Sequence, residues 1–135
     1  MITFAALFNL SYIMEEWELD FEWLKVRHLV KNGMKKDHLP DLQTILFLIG
    51  VQELGTWPQT NFSKEEKKDL MHVAVCTLLE PDGYFMFEGR DQDGWPHWAE
   101  KGLFNIKGVL EQEKILKQNV VRYFKEYNEI DTFNI

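Results

Sequence analysis

At 135 residues, 45% hydrophobic and 27% charged, the chain has the size and usage of one globular domain, enough to bury a core without disulfides or metal. A formal net charge of −7 weighs against nucleic acid and anionic membrane surfaces, because long-range repulsion acts before any local contact forms. The single cysteine, Cys76, excludes an intramolecular disulfide and every multi-cysteine zinc pattern, which points to a reduced, cytoplasmic protein.

The first 13 residues, MITFAALFNLSYI, are too short and too poorly flanked for a membrane span or a secretory signal: no Lys or Arg precedes Lys25, and Glu15, Glu16 and Glu18 follow. They read as an arm packed on the domain, or as a start assigned too early, with Met14 the natural alternative. The triplets beginning at Asn9 and Asn61 carry no weight as glycosylation sites without such a signal. Over 14–31, Trp17, Phe21, Leu24 and His28 recur at helical spacing, and Leu19, Trp23, Val26 and Val30 form a second apolar side. Two such sides predict a helix enclosed by its neighbours. Asn32-Gly33 is expected to supply left-handed backbone at its end, and Pro40 to fit the first turn of the next helix.

Residues 42–54 contain the run ILFLI and are apolar almost all round, the pattern of a central buried helix stopped by Gly55. Ser63 and Glu66 have the spacing of a capping box, so a helix is expected over 64–79, charged at its start and apolar in LMHVAVCTLL. Asp69, His72 and Cys76 share one face of it, but the thiol lies in the apolar half and in the last turn, where burial and the helix dipole oppose a thiolate. Cys76 therefore reads as a small core hydrophobe and His72 as a hydrogen-bonded residue at the core boundary. Glu53 continues the apolar face of the central helix and is expected to turn outward at its end.

Pro81-Asp82-Gly83 ends the third helix, and the aromatic run from Tyr84 predicts a β-hairpin near residues 84–98, with Pro96 keeping the return strand irregular or at an edge. Residues 109–127 place Leu110, Leu116, Val120, Phe124 and Tyr127 along one side of an amphipathic closing helix, and 128–135 are expected to fray.

The hairpin stretch 87–98, FEGRDQDGWPHW, holds the densest chemistry. Calcium is the first idea to test: with Gly94 as the loop glycine, Asp91, Asp93 and Glu100 fall at EF-hand ligand positions, yet the first position is Gly89 and the eighth is Pro96. No calcium site is expected, and no other metal or cofactor is assigned. A looser acid–base cluster of Glu88, Asp91, Asp93, His97 and Glu100 supplies ingredients without geometry. The plainer account has Asp and Gly shaping the turn while the other charges keep a hairpin edge soluble.

The expected fold is mainly α: one domain over 1–135, a bundle of four to five helices with one short hairpin, α+β being the alternative. No phosphate loop, dinucleotide fingerprint, nucleophile elbow or HExxH motif occurs, and no catalytic residue is assigned. The function expected is a non-enzymatic interaction module binding a protein partner or a second copy. Its contact candidates are Trp57, Glu88, Arg90, Asp91, Asp93, Trp95, His97 and Trp98, because Trp and Arg concentrate contact area in few side chains. The alternative is a small metal-dependent or acid–base enzyme using the cluster within residues 88–100. Concavity discriminates the two, since converging carboxylates in a groove favour chemistry.

Overall fold

The computed structural model describes residues 15–56, 61–102 and 108–133, with side chains up to 126. The arm expected at 1–13, Trp57, and the side chains of the tail 128–135 lie outside the described residues. The fold is mainly α with a short hairpin. In chain order the elements are α1 (Glu16–Gly33), α2 (Leu42–Leu54), α3 (Lys64–Leu79), a turn of 3-10 helix (Glu80–Asp82), β1 (Phe85–Arg90), β2 (Pro96–Glu100) and α4 (Val109–Phe133).

Local chemistry explains most of the boundaries. Asp41 caps α2 by accepting from the Thr44 amide at 2.9 Å, and Gly55, at φ 85°, ends it in the left-handed region. At the start of α3 the Ser63 hydroxyl accepts from the Glu66 amide at 3.1 Å while the Glu66 carboxylate accepts from the Ser63 amide at 3.0 Å, completing the box. Two details depart from the sequence reading. Pro40 precedes the cap of α2 instead of entering its first turn, and its carbonyl accepts from Arg27 Nε at 2.8 Å. The left-handed residue after α1 is Lys35, at φ 55°, and not the Asn32-Gly33 pair, both of which stay helical. The amides of Lys35 and Lys36 reach back to the carbonyls of Asn32 and Lys31, so the closing motif forms two residues later than the glycine suggests.

The core is organised around α2. One cluster joins Leu19, Trp23, Val26 and Val30 of α1 to Leu42, Ile45, Leu46 and Ile49 of α2, with Ala74 and Leu78 of α3 and Val120 and Val121 of α4. A second cluster of Val51, Leu54 and Leu70 is covered by Phe47, Phe62 and Trp95. Gly50 lets α2 and α3 approach closely, since a Cβ there would overlap the Leu70 carbonyl.

Two predicted apolar stripes are only partly used. The Trp17, Phe21, Leu24 side of α1 is not enclosed: these residues are 69%, 56% and 42% exposed, because the neighbouring helices pack on the opposite face. In α4, Leu116 and Phe124 pack against the core while Leu110 remains exposed in the first turn. No described helix is long and apolar enough to cross a membrane.

Candidate functional site

The hairpin is a two-stranded antiparallel sheet in which Phe85 pairs with Glu100, Met86 with Ala99 and Phe87 with Trp98. The register shifts between Phe87 and Gly89, leaving Glu88 as the bulged residue, and Gly89 takes φ 116°, which favours glycine. At the base, the Lys101 amide donates to the Tyr84 carbonyl at 2.9 Å and fixes where the strands begin and end.

Asp91 builds the tip. Its Oδ1 accepts from the amides of Asp93 at 2.9 Å and Trp95 at 3.0 Å, while Oδ2 accepts from His97 Nε2 at 2.8 Å. The Gly94 amide adds a bond to the Asp91 carbonyl at 3.0 Å, and Gly94 itself needs φ 88°. The bond from His97 leads, followed by the amide of Trp95, in holding the Asp91 carboxyl below its ordinary range. The sequence Asp-x-Asp-Gly is thus read by the backbone as a turn, and its flanks are strands where an EF-hand needs helices. Among the described residues no group of three or more His, Cys, Asp or Glu side chains is placed to hold a metal ion.

Arg90 and Trp95 both engage the body of the protein, Arg90 from an exposed position and Trp95 from a half-buried one. The Arg90 guanidinium donates to the carbonyls of Leu54 at 3.1 Å, Gly94 at 2.8 Å and Glu53, so it ties the hairpin to the exposed C-terminal carbonyls of α2. Trp95 covers Val51, Leu54 and Leu70. Both residue types suit contact surfaces, and here both hold the hairpin onto the body of the protein. Trp98 is half-buried, donates from Nε1 to Glu80 Oε2 at 2.9 Å, and meets Phe87 edge to face at 5.5 Å and 62°. Of the other candidates, Glu88, Asp93 and His97 are exposed.

Two grooves flank the hairpin. The first, of about 210 Å³, is lined by Phe87, Trp98, Pro96 and Arg90 together with Glu53, Thr77 and Glu80. The Glu53 carboxylate in it accepts from the Tyr123 hydroxyl at 2.8 Å, which holds that side chain at the end of α2. The second, about 440 Å³ and more open, runs along α3 and collects Asp91, Trp95, Pro96 and His97 with Glu66, Asp69, His72 and Val73. Of the sequence-predicted acid–base cluster only Asp91 and His97 line this second groove, and Glu88, Asp93 and Glu100 do not. Cys76 stays outside it: 1% exposed, with its Sγ 3.5 Å from His72 Nε2, it has a thiol that burial, aided by the Glu100 charge, pushes up to about 11.

Sequence reasoning missed the contribution of Met86 and Phe87, which are 48% and 45% exposed and supply the apolar surface expected of the tryptophans. It also missed Asp82, whose carboxylate accepts from Asn119 at 3.1 Å and Arg122 at 3.3 Å. Arg122 further donates to the Leu78 carbonyl at 3.2 Å, fixing the turn that launches the hairpin onto α4. The partners of Asp82 lie 37 and 40 positions further along the chain, so no local signal in the sequence points to them. Comparison of the chain with protein-family models, curated proteins and solved structures finds no match, so the reading of this site rests on its own geometry.

Proposed function

We propose that the protein is a non-enzymatic interaction module of the cytoplasm whose hairpin receives a protein partner, with Phe87 and Trp98 as the anchor pair and Met86 on the other face of the strand. The observation that carries this reading is the 45% exposure of Phe87 beside Trp98 on a hairpin already fixed to the end of α2 by Arg90 and to the second core cluster by Trp95. A rigid aromatic pair needs little further ordering to bind, and Glu53 and Glu80 at the groove suit a partner side chain carrying positive charge. Glu88, Asp93 and His97 form the polar rim.

The test begins by identifying the partner through cross-linking in cells. Phe87→Ala with Met86→Ala should then weaken binding by about 2 kcal/mol or more, the scale of anchor residues. Asp93→Asn, at the rim, should change it by less than about 1 kcal/mol. Equal binding by the wild type and the Phe87/Met86 variant, with the fold intact, would refute the reading.

A second reading is favoured by one observation, the His97 ring hydrogen-bonded to Asp91 in a groove that also presents Asp69 and His72. That is the arrangement of a base oriented by a carboxylate. It ranks second because Asp91 is committed to the turn and Glu66 to the cap of α3, while the Cys76 thiol is buried and protonated. Turnover abolished by His97→Gln with the fold intact would establish it.

A further inference from the structure

The exposed side of α1 is an ordered stripe and not a scatter of apolar residues. Trp17, Phe21, Leu24 and His28 follow one another at steps of four, three and four, the spacing of a coiled-coil seam, and all four are exposed. The core-facing stripe of Leu19, Trp23, Val26 and Val30 lies two residues out of phase, which is about 200° around a helix. The seam therefore faces directly away from the protein's interior.

Charge along α1 is segregated. Glu16, Glu18, Asp20 and Glu22 occupy the first half, with Glu15 just ahead of it at the cap, and Lys25, Arg27, His28 and Lys31 the second. The residues flanking the seam repeat that division, with Glu18 and Asp20 beside its N-terminal half and Lys25 and Arg27 beside its C-terminal half. Such a surface is complementary to itself under a two-fold axis, where residue i meets j and j meets i. In an antiparallel pair the layers would be Trp17 on His28 and Phe21 on Leu24. The flanks would set Glu18 against Lys25 on one side and Asp20 against Arg27 on the other, with the two helix dipoles opposed. Parallel pairing would instead bring the two acidic halves together.

We propose that α1 docks on α1 of a second copy of this chain, antiparallel about a two-fold axis beside Phe21 and Leu24. The local surroundings accommodate this. Lys25 Nζ lies 5.1 Å above the Phe21 ring and 3.4 Å from Glu22, already at the edge of the seam. Arg27 is anchored by the Pro40 carbonyl at 2.8 Å and stays half-buried, so one charge of each flank is held in place before association. The surface is separate from the hairpin, so a dimer leaves the Phe87–Trp98 groove available to a different protein.

Sedimentation equilibrium of the full chain over a concentration series is expected to show a monomer–dimer equilibrium. Phe21→Glu should remove the dimer while circular dichroism stays unchanged. Lys25→Glu should weaken association by about tenfold or more by opposing Glu18, and the double variant Glu18→Lys with Lys25→Glu should return it to within about threefold of wild type. That rescue is specific to antiparallel pairing, because only there do positions 18 and 25 face each other. A monomer at every concentration overturns the proposal and leaves the chain's own first 13 residues or another protein as the cover of this face. A dimer that survives Phe21→Glu and is lost in Phe87→Ala also overturns it, by placing self-association at the hairpin. Failure of the charge exchange to rescue Lys25→Glu overturns the antiparallel geometry.

Discussion

Asp91 accepts from two amides and from His97 at once, and a carboxylate so held stays ionised below its ordinary range. The sign of the pH dependence follows. A carboxyl with a lowered folded-state pKa contributes stability above its unfolded value of about 3.9 and loses it as pH falls through the lowered one. Acidification below about pH 4 should therefore loosen the hairpin tip, and Asp91→Asn should remove that acid-dependent component, read from the backbone amide signals of Asp93 and Trp95. Cys76 has the opposite sign. Its raised thiol pKa means no penalty below the reference value of 9.0 and a loss of stability as pH climbs toward about 11, so labelling at neutral pH should proceed only as fast as the protein unfolds. Rapid modification of the native protein would contradict the buried placement. Lys35 is a third residue with a definite expectation. It occupies left-handed backbone that glycine adopts freely, and Lys35→Gly should raise stability by about 1 kcal/mol in denaturant titrations.

At the scale of elements, the helices marked by local signals were legible. The bounds of α2 and α3 agree with the sequence reading because Gly55, Ser63 and Glu66 act within a few residues of themselves. Less was legible where the deciding contact is distant in sequence. Arg90 and Trp95 looked like contact residues because their types suit interfaces, whereas their partners, the C-terminal end of α2 and Leu70, lie far away along the chain. For the same reason the Phe21 stripe of α1 read as buried, since periodicity reveals an apolar face but not whether another element reaches it. The α4 helix continues to Phe133 past the expected end at 127, because no Gly or Pro interrupts it. The sharpest element-scale prediction concerns Gly50. Gly50→Ala would drive a methyl into the Leu70 carbonyl and should destabilise by about 3 kcal/mol even though alanine favours helix. A neutral effect in thermal unfolding would mean that α2 and α3 are farther apart than described.

Across the whole molecule, α2 contributes to both core clusters, so neither can open without disturbing the other. Tryptophan fluorescence and far-ultraviolet circular dichroism should report one coincident transition. The hairpin belongs to this cooperative body through Trp95 and Arg90, yet it turns Phe87 to solvent, and this division between holding and presenting is the basis of the interaction reading. The most direct check compares the thermal unfolding of Trp95→Ala and Phe87→Ala. Trp95 covers the second core cluster, so its loss should cost about 3 kcal/mol. Phe87, exposed on the groove, should cost less than about 1 kcal/mol when truncated. Equal destabilisation by the two would show that Phe87 is a structural ring, and the hairpin would then have no aromatic anchor to offer a partner.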